Sequence, residues 1–432
     1  MISVQDIQQR WHDFFFAPCS VLPIALYRIL FGGLVLGYGA LLWPDLLVWF
    51  GEHGVLSRAT ALQYLGAPRL NPLLWLPAGD AWVRGVFAIF MGAALGLTCG
   101  CATRLCSILV FIGLVSFHHR NPLILNSGDT FLRCAAFFLI FAPAGAALSF
   151  DRLWRILRGR ESSAPPLHPP WAQRLLQYQL AVVYLSTFLW KAQGATWLDG
   201  SALYYTSRLT EFQRFPVPYI FEHRWTILAS TWGTLVVEFA LGALVWIREW
   251  RYWILASGVV LHAGIEYSMN IPLFAFIMTT AYVTFVDGTD LQRVAQWLRR
   301  RCCGQQTQRP VFYDGHCVFC TRTVQFLAAL DVGRRLQLID FRTPNLLAQW
   351  PTLDLARADR ELLIVTSSGK WLGGFFALRY LVWSLPLLWI TGPFWYLPGM
   401  RWVGPRAYDW VARHRYLFMG RCDDGVCQRH GY

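Results

Sequence analysis

Two cysteines spaced three residues apart, Cys317 and Cys320, are the side chains in this 432-residue chain that are best suited to chemistry. They follow an apolar run at 311–313 that predicts a short strand, and they begin a helical pattern over 317–330. A turn of this kind presents a thiolate to backbone N–H groups and to the positive end of a helix dipole. The pair is therefore predicted to exchange disulfides, with Cys317 as the exposed nucleophile and Cys320, one turn deeper, as the resolving thiol.

The elements predicted around this pair indicate a small α/β domain over residues 310–432. The first helix would bury Val324, Leu327 and Leu330, which share one face. The order β-α-β-β followed by helices fits a thioredoxin-like fold. The predicted strands are at 311–313, 336–341, 361–366 and 369–372. The predicted helices are at 317–330, at 375–390 with a break at Pro386, and at 405–418.

The residues from Tyr313 to Cys320 read Tyr-Asp-Gly-His-Cys-Val-Phe-Cys. This string resembles the DCC family of thiol-disulfide oxidoreductases, and the resemblance covers roughly residues 310–428. It implies a thioredoxin-like fold, a thiol–disulfide oxidoreductase activity, and Asp314, Cys317 and Cys320 as signature residues. Asp314 would either orient the turn or relay a proton during exchange, and a turn-stabilising side chain is the alternative.

The cysteines also allow a metal interpretation. Cys317 and Cys320 together with Cys422 and Cys427 could form a four-thiolate structural zinc site. The Cys-x4-Cys half and its large separation from the first pair are unlike the common zinc ribbons, so no metal site is predicted. Inert thiols are a further alternative.

The composition of the chain points to a membrane. It is 55% hydrophobic, 16% aromatic and 15% charged, whereas soluble domains are about a quarter charged. The net charge is +13, but the arginines lie in short clusters between apolar runs. That arrangement is typical of cytoplasmic loops and excludes a continuous nucleic-acid-binding stripe, so no nucleic-acid partner is predicted.

An α-helical polytopic membrane domain of about eight spans is predicted over residues 1–290, followed by a basic linker at 291–309. The arginine clusters at 151–160, 248–251 and 293–301 fall on one side of such a domain. Both termini and the Cys-x-x-Cys domain are therefore expected in the cytoplasm, at the lipid bilayer of a bacterial inner membrane. The predicted spans are 21–48, 82–100, 102–118, 129–149, 173–190, 226–247, 252–268 and 270–286.

Polar side chains inside these spans are functional candidates because burying them in lipid is costly. Lys191 ends the fifth span, where it either snorkels to the interface or acts chemically. His262 and Glu266 share one helical face and resemble half of a metal site, without a matching second pair. Glu238 and Arg28 are interpreted as an ion pair between helices.

Two segments of this region suggest a family. Residues 191–200 read Lys-Ala-Gln-Gly-Ala-Thr-Trp-Leu-Asp-Gly, and His119-Arg-Asn121 lies earlier in the chain. Both are similar to the HTTM domain, the membrane region shared with vitamin K-dependent γ-carboxylase. The resemblance implies Lys191 as the base that deprotonates a quinone-type cofactor. His119 and Asn121, and with them His262 inside the seventh predicted span, are cofactor-binding candidates. A lysine in an apolar pocket has the lowered pKa that a base needs.

These observations predict a membrane-bound thiol–disulfide oxidoreductase of the reductase type. It would use Cys317 and Cys320 on an unknown dithiol or disulfide substrate, with coupling to a lipophilic quinone in the membrane domain. A carboxylase-like epoxidase or lyase centred on Lys191 is the first alternative. A non-enzymatic membrane scaffold with a zinc-binding C-terminal domain is the second.

Overall fold

A computed structural model of the protein describes residues 3–64, 71–162, 166–303, 308–331 and 334–419. The chain divides into two compact units. The first comprises Met1–Asp151 and Pro165–Leu291, and the second comprises Arg152–Ala164 and Gln292–Tyr432. Helices dominate the first unit, whereas the second contains a four-stranded sheet.

The first unit is a bundle of helices with a small antiparallel pairing between two-residue strands, β1 (Cys19–Ser20) and β2 (Leu167–His168). Its longer helices are α1 (Val4–Phe16), α2 (Leu22–Leu42), α3 (Asp80–Cys99), α4 (Thr103–Arg120), α5 (Ser127–Phe141), α6 (Trp171–Lys191), α7 (Arg224–Phe239), α8 (Arg251–Ser268) and α9 (Phe274–Ala281). A further helix, α10 (Gly288–Cys303), begins in the first unit and lies mostly in the second. Its shorter α-helices are Leu46–Phe50, Arg58–Tyr64, Pro72–Trp75, Ala195–Leu198 and Ala202–Thr206, and the helix Phe150–Leu157 lies mostly in the second unit. The 3-10 turns are Pro122–Ile124, Tyr219–Glu222 and Tyr282–Phe285, and a π-helical segment, Ala240–Leu244, extends α7.

Three helices in the described part of the chain are long and apolar enough to cross a membrane: Leu22–Leu42, Asp80–Cys99 and Arg224–Leu244. The other five predicted spans also contain helices, but these are shorter or more polar. For example, α5 has 15 residues, and a bilayer-spanning helix needs about 20. The count of eight spans therefore stays a prediction. Most of the predicted linker is helical, because α10 continues to Cys303.

Close packing of α2, α3 and α4 forms the core of the first unit. The rings of Phe87, Phe90 and Phe117 contact one another there, with centroids 5.7 to 6.3 Å apart. The turn between α3 and α4 lies at Gly100, where φ is +73° and a side chain would overlap Arg28. Glycine adopts this left-handed conformation without steric cost, so it permits the tight turn between the two helices.

The second unit contains a mixed sheet with the order β4-β3-β5-β6. β3 (Arg309–Tyr313) runs parallel to β4 (Leu336–Asp340) and antiparallel to β5 (Leu363–Val365), which is antiparallel to β6 (Trp371–Gly373). The longer helices are α11 (Val318–Leu330), α12 (Gly374–Ser384) and α13 (Met400–Met419). The shorter ones are Leu346–Gln349, Leu355–Ala358, Gly392–Trp395 and the 3-10 segment Pro386–Thr391.

The side chains along β3 point alternately to the two faces of the sheet, and the core of this unit is accordingly divided into two clusters. Val311 packs with Leu327 and Leu381, whereas Phe312 packs in a separate cluster with Leu346. Successive strand residues face opposite sides of a sheet, so each face of the sheet has its own apolar layer. The strand ends at Tyr313, and this places the following turn at the carboxyl edge of the sheet.

Candidate active site

The turn after β3 is fixed by its own backbone and by the neighbouring strand. The amide of Gly315 donates a hydrogen bond to Oδ1 of Asp340 at 3.0 Å. A side chain at Gly315 would overlap the Asp340 carboxylate. The amide of Cys317 donates to the carbonyl of Asp314 at 3.2 Å and closes the turn. Glycine is thus required here by the close approach of β4.

Cys317 caps the N-terminus of α11. Its Sγ accepts a hydrogen bond from the amide of Cys320 at 3.2 Å, as predicted for a thiolate at a strand-to-helix turn. The pKa of Cys317 is lowered to about 7, chiefly by the hydrogen bond from the Cys320 thiol; burial opposes this, and the Cys320 amide and the charge of Arg415 add to it. The pKa of Cys320 is raised, because its thiol donates to Cys317 and because it is buried.

The prediction that Cys317 is the exposed sulfur is wrong. Cys317 has no exposed surface, whereas Cys320 is only partly buried. The reason is the cap itself: the side chain of Cys317 folds back over the helix N-terminus to accept the Cys320 amide. Cys320, on the first turn, is left as the more accessible of the two thiols.

Asp314 is the centre of a buried polar cluster. It is 2% exposed. Its Oδ1 accepts hydrogen bonds from Arg342 at 2.7 Å and from the His316 amide at 3.1 Å, and its Oδ2 accepts from Tyr416 at 2.7 Å and Arg415 at 3.2 Å. Burial raises the pKa of the carboxyl, but the hydrogen bonds from Arg342 and Tyr416 outweigh it, so the pKa is lowered. An ionised carboxylate with these partners suits positioning better than proton relay.

Lys191 and Glu238 form an ion pair in the first unit. Nζ of Lys191 donates to Oε1 of Glu238 and lies 4.9 Å from the ring centroid of Trp197. The predicted pairing of Glu238 with Arg28 is wrong, because the Arg28 guanidinium donates to the carbonyl of Leu148. The Arg28 side chain lies against Gly100 in the α3–α4 turn, and the carbonyl of Leu148 is its hydrogen-bond acceptor there.

His262 belongs to a chain of three buried side chains. Its Nε2 lies 2.6 Å from the hydroxyl of Tyr184, which lies 2.7 Å from the hydroxyl of Tyr282. Glu266, which shares a helical face with His262 in sequence, pairs instead with Arg214. The structure therefore uses His262 and Glu266 in two different interactions rather than in one metal site.

Comparison with known families assigns both halves of the chain. Residues 16–289 match the family model of the HTTM domain, which is well over half of the chain. The chain belongs to the HTTM domain family. Residues 311–421 match the model described as DCC1-like thiol-disulfide oxidoreductase, in the order that the sequence predicts. The second match indicates a thiol–disulfide redox role beside a membrane-associated HTTM domain. Neither a curated protein nor a solved structure matches the chain.

The other predicted cofactor-binding residues of the HTTM domain lie at the end of α4. Asn121 is fully buried, where its Nδ2 donates to the carbonyl of Trp49 at 3.1 Å and its Oδ1 accepts from the Leu123 amide at 3.2 Å. Both ends of the Asn121 amide therefore contribute to local structure. His119 is half-buried. A role of either residue in cofactor binding stays a prediction.

Sequence reasoning missed several partners of the predicted site residues. Arg415 lies 101 residues from Asp314, and no local pattern connects them. Tyr184 could have been predicted from sequence, because it lies seven residues before Lys191 on the same helix, which places both on one face.

His118 is fully buried edge-on to Tyr38, with neither ring nitrogen hydrogen-bonded within the described residues.

In the part of the chain that the structure describes, no group of three or more His, Cys, Asp or Glu side chains is arranged to hold a metal ion. Cys422 and Cys427, which complete the zinc alternative, lie outside the described residues. That alternative is therefore open to experiment.

Proposed function

We propose that this protein is a membrane-bound thiol–disulfide oxidoreductase of the reductase type, in which Cys317 and Cys320 cycle between dithiol and disulfide. The observation behind the proposal is the hydrogen bond that the Cys317 sulfur accepts from the Cys320 amide at the start of α11, which favours the thiolate. With a pKa of about 7, Cys317 is about half thiolate at neutral pH. The thiolate is the form that attacks disulfides.

The proposal includes a thioredoxin-like fold for residues 310–432, with 1–290 as the membrane domain and 291–309 as the connecting segment. The sheet order and strand directions support this fold, because a parallel β3–β4 pair linked by α11 is followed by an antiparallel β5–β6 pair. The turn that bears Cys317 follows the central strand β3.

The chemistry requires only the two sulfurs and a substrate disulfide. One cysteine sulfur bonds to a substrate sulfur as the substrate S–S bond breaks, and the other cysteine then displaces the substrate thiol. The pair loses two electrons and two protons, and the substrate gains them. Asp314 holds Arg415 beside the pair, and the charge of Arg415 favours the thiolate.

We further propose about eight membrane spans, both termini in the cytoplasm and a bacterial inner membrane as the location. A lipophilic quinone would supply the HTTM domain with a two-electron carrier. The buried His262, whose Nδ1 has no partner within the described residues, fits a carbonyl-bearing molecule of this kind. Lys191 is predicted to lie on the opposite face of the membrane from the thiols. Coupling of chemistry at Lys191 to the cysteine pair would therefore need such an electron carrier.

A second candidate is a carboxylase-like epoxidase or lyase centred on Lys191. Its support is the ion pair with the buried Glu238, whose Oε2 has no partner within the described residues. A carboxylate in this position could take a proton from the lysine and return the amine to its basic form.

A redox titration of the full chain in lipid nanodiscs tests the first proposal. Thiol alkylation and mass spectrometry across a glutathione series should show a reversible Cys317–Cys320 disulfide with a potential between about −180 and −270 mV. Cys317→Ser should abolish it, and Cys134→Ser, which removes a thiol of the first unit, should not.

Activity of Lys191→Ala separates the two candidate functions. Thiol exchange that survives this substitution supports the redox proposal, whereas an activity lost in Lys191→Ala and kept in Cys317→Ser supports the second. Stoichiometric zinc in the purified chain, with thiols protected until a chelator is added, would overturn the redox proposal in favour of a metal-binding scaffold.

A further inference from the structure

An apolar cavity of about 390 Å³ lies in the second unit, next to the cysteine pair. Cavities that hold small molecules span about 300 to 1,000 Å³ and are mostly apolar with a few polar groups. This one has that character, since α11, α12 and α13 all contribute apolar side chains to it. Its apolar lining includes Phe319, Phe375, Leu378, Phe394, Trp395 and Val411.

The two cysteines differ in their access to this cavity. Cys320 forms part of its wall, whereas Cys317 is fully buried and is not among the lining residues. A molecule inside the cavity therefore meets the sulfur of Cys320 first. The sulfur of Cys317 stays behind it, within hydrogen-bonding distance of the Cys320 amide.

Arg415 adds a cationic group to the mostly apolar wall, whose two carboxylates, Asp314 and Glu361, are each paired with another arginine. Its side chain is 8% exposed, and one terminal nitrogen donates to Asp314, to the carbonyl of Asp359 and to Tyr416. Its Nε has no hydrogen-bond partner within the described residues. A buried donor without a partner costs about 1–3 kcal/mol. An oxygen atom on a bound molecule would satisfy this N–H and complement the charge.

The surroundings of the pair disfavour an extended peptide as substrate. Recognition of a peptide by strand addition uses free backbone N–H and C=O groups. The carbonyl of Asp359, which precedes β5, already accepts a hydrogen bond from Arg415 at 2.7 Å. The buried sulfur of Cys317 is also out of reach of a disulfide on the surface of a folded protein.

We infer that the cavity selects small apolar dithiols and their disulfides that contain a carboxylate or amide oxygen. This inference rests on the proposed redox function and names its substrate class. The apolar body fills the cavity, the oxygen accepts from Nε of Arg415, and the reacting sulfur lies against Cys320.

The exchange balances in either direction. With a reduced substrate, one substrate sulfur bonds to Cys320 as the Cys317–Cys320 bond breaks, and Cys317 leaves as the thiolate. The second substrate sulfur then displaces Cys320 and closes the substrate disulfide. The substrate loses two electrons and two protons, and the cysteine pair gains them.

Reduction of the oxidised full chain in nanodiscs by two dithiols tests the inference. Dihydrolipoate is apolar and has a carboxylate, whereas dithiothreitol is hydrophilic. The rate of reduction, followed by alkylation of Cys317 and Cys320, should saturate with dihydrolipoate and rise linearly with dithiothreitol. Octanoate should compete with dihydrolipoate, whereas octylamine, of equal length and opposite charge, should not.

Two variants locate the binding site. Ala412→Leu adds volume to the cavity wall and should raise the half-saturating dihydrolipoate concentration about tenfold, which corresponds to 1.4 kcal/mol. The same change at Ala356, an exposed residue outside the lining, should leave the wild-type value. Arg415→Lys, which keeps the charge and removes Nε, should weaken octanoate competition without abolishing reduction.

The outcomes distinguish this inference from the proposed function. If both dithiols reduce the pair linearly and octanoate has no effect, the pair is redox-active and the selective cavity is wrong. If octanoate and octylamine compete equally, the role of Arg415 is wrong. If neither dithiol yields a reversible Cys317–Cys320 couple, the redox function itself fails.

Discussion

The two units of this protein each bury a charged cluster, but they satisfy it to different degrees. In the C-terminal unit both oxygens of Asp314 accept hydrogen bonds, from Arg342 on one side and from Arg415 and Tyr416 on the other. In the HTTM domain, Lys191 contacts only one oxygen of Glu238, and the second has no partner within the described residues.

This difference in hydrogen bonding indicates that Asp314 positions the cysteine turn, whereas Glu238 is available to bind a ligand or proton. A buried carboxylate whose two oxygens are both hydrogen-bonded rigidifies its surroundings, and Asp314 in this way fixes the turn that bears Cys317. An unsatisfied buried acceptor is costly, and such groups occur where a ligand, proton or water is received. We therefore expect substitutions in the first cluster to destabilise the fold, and those in the second to act mainly on binding.

The largest effect should come from Asp314→Asn. The amide nitrogen would face the donors of Arg415 and Tyr416, and the buried arginine would lose its counter-charge. Breaking a buried pair in this way costs about 3–5 kcal/mol. Pulse proteolysis of the C-terminal unit in urea measures the change, with the exposed Asp409→Asn as the matched control. Equal stability of the two variants would contradict the positioning role.

The pH dependence of Cys317 should give the next largest effect. Alkylation of Cys317 should have its midpoint at about pH 7. Cys320→Ala removes the donating thiol, so the midpoint should move towards the ordinary value near 8.5. Because the folded pKa is lowered, the thiolate stabilises the fold above pH 8.5, and this stabilisation is lost as the pH falls through 7. A midpoint unchanged in Cys320→Ala would show that the helix terminus alone sets the pKa.

The smallest effect should be the coupling between Lys191 and Glu238. A double-mutant cycle of Lys191→Met and Glu238→Leu should give about 1–2 kcal/mol, because each single variant leaves a charge unpaired. Unfolding in mixed detergent titrations measures the four free energies. The more exposed pair Arg208–Glu222 is the control and should couple by less than about 1 kcal/mol. Equal coupling in both pairs would mean that burial adds nothing at Lys191.

Much of the C-terminal unit could be predicted from sequence, because its signals are local. The helix that begins beside Cys317 buries Val324, Leu327 and Leu330 as their spacing predicts. All four predicted strands occur within about two residues of their predicted bounds. The predicted 375–390 helix ends at Ser384 and continues as a 3-10 segment from Pro386, since proline interrupts the helical hydrogen bonds.

The partners of the site residues could not be predicted in the same way. Arg415 reaches Asp314 only through the packing of α13 on the unit, which no short pattern encodes. The burial of Cys317 depends on a capping hydrogen bond to its own sulfur, although the spacing alone suggested an exposed nucleophile. Glu238 is predicted from sequence to pair with Arg28, whereas the fold pairs it with Lys191.

The proximity of Arg415 to the cysteine pair makes the local electrostatic potential depend on redox state. In the reduced form, the thiolate of Cys317 partly neutralises the guanidinium. Closing the disulfide removes that negative charge, while Arg415 stays positive and buried. The oxidised domain should therefore attract an anionic reductant, and its own reduction should weaken that attraction and favour release of the product, so that each catalytic cycle would clear the cavity for the next molecule.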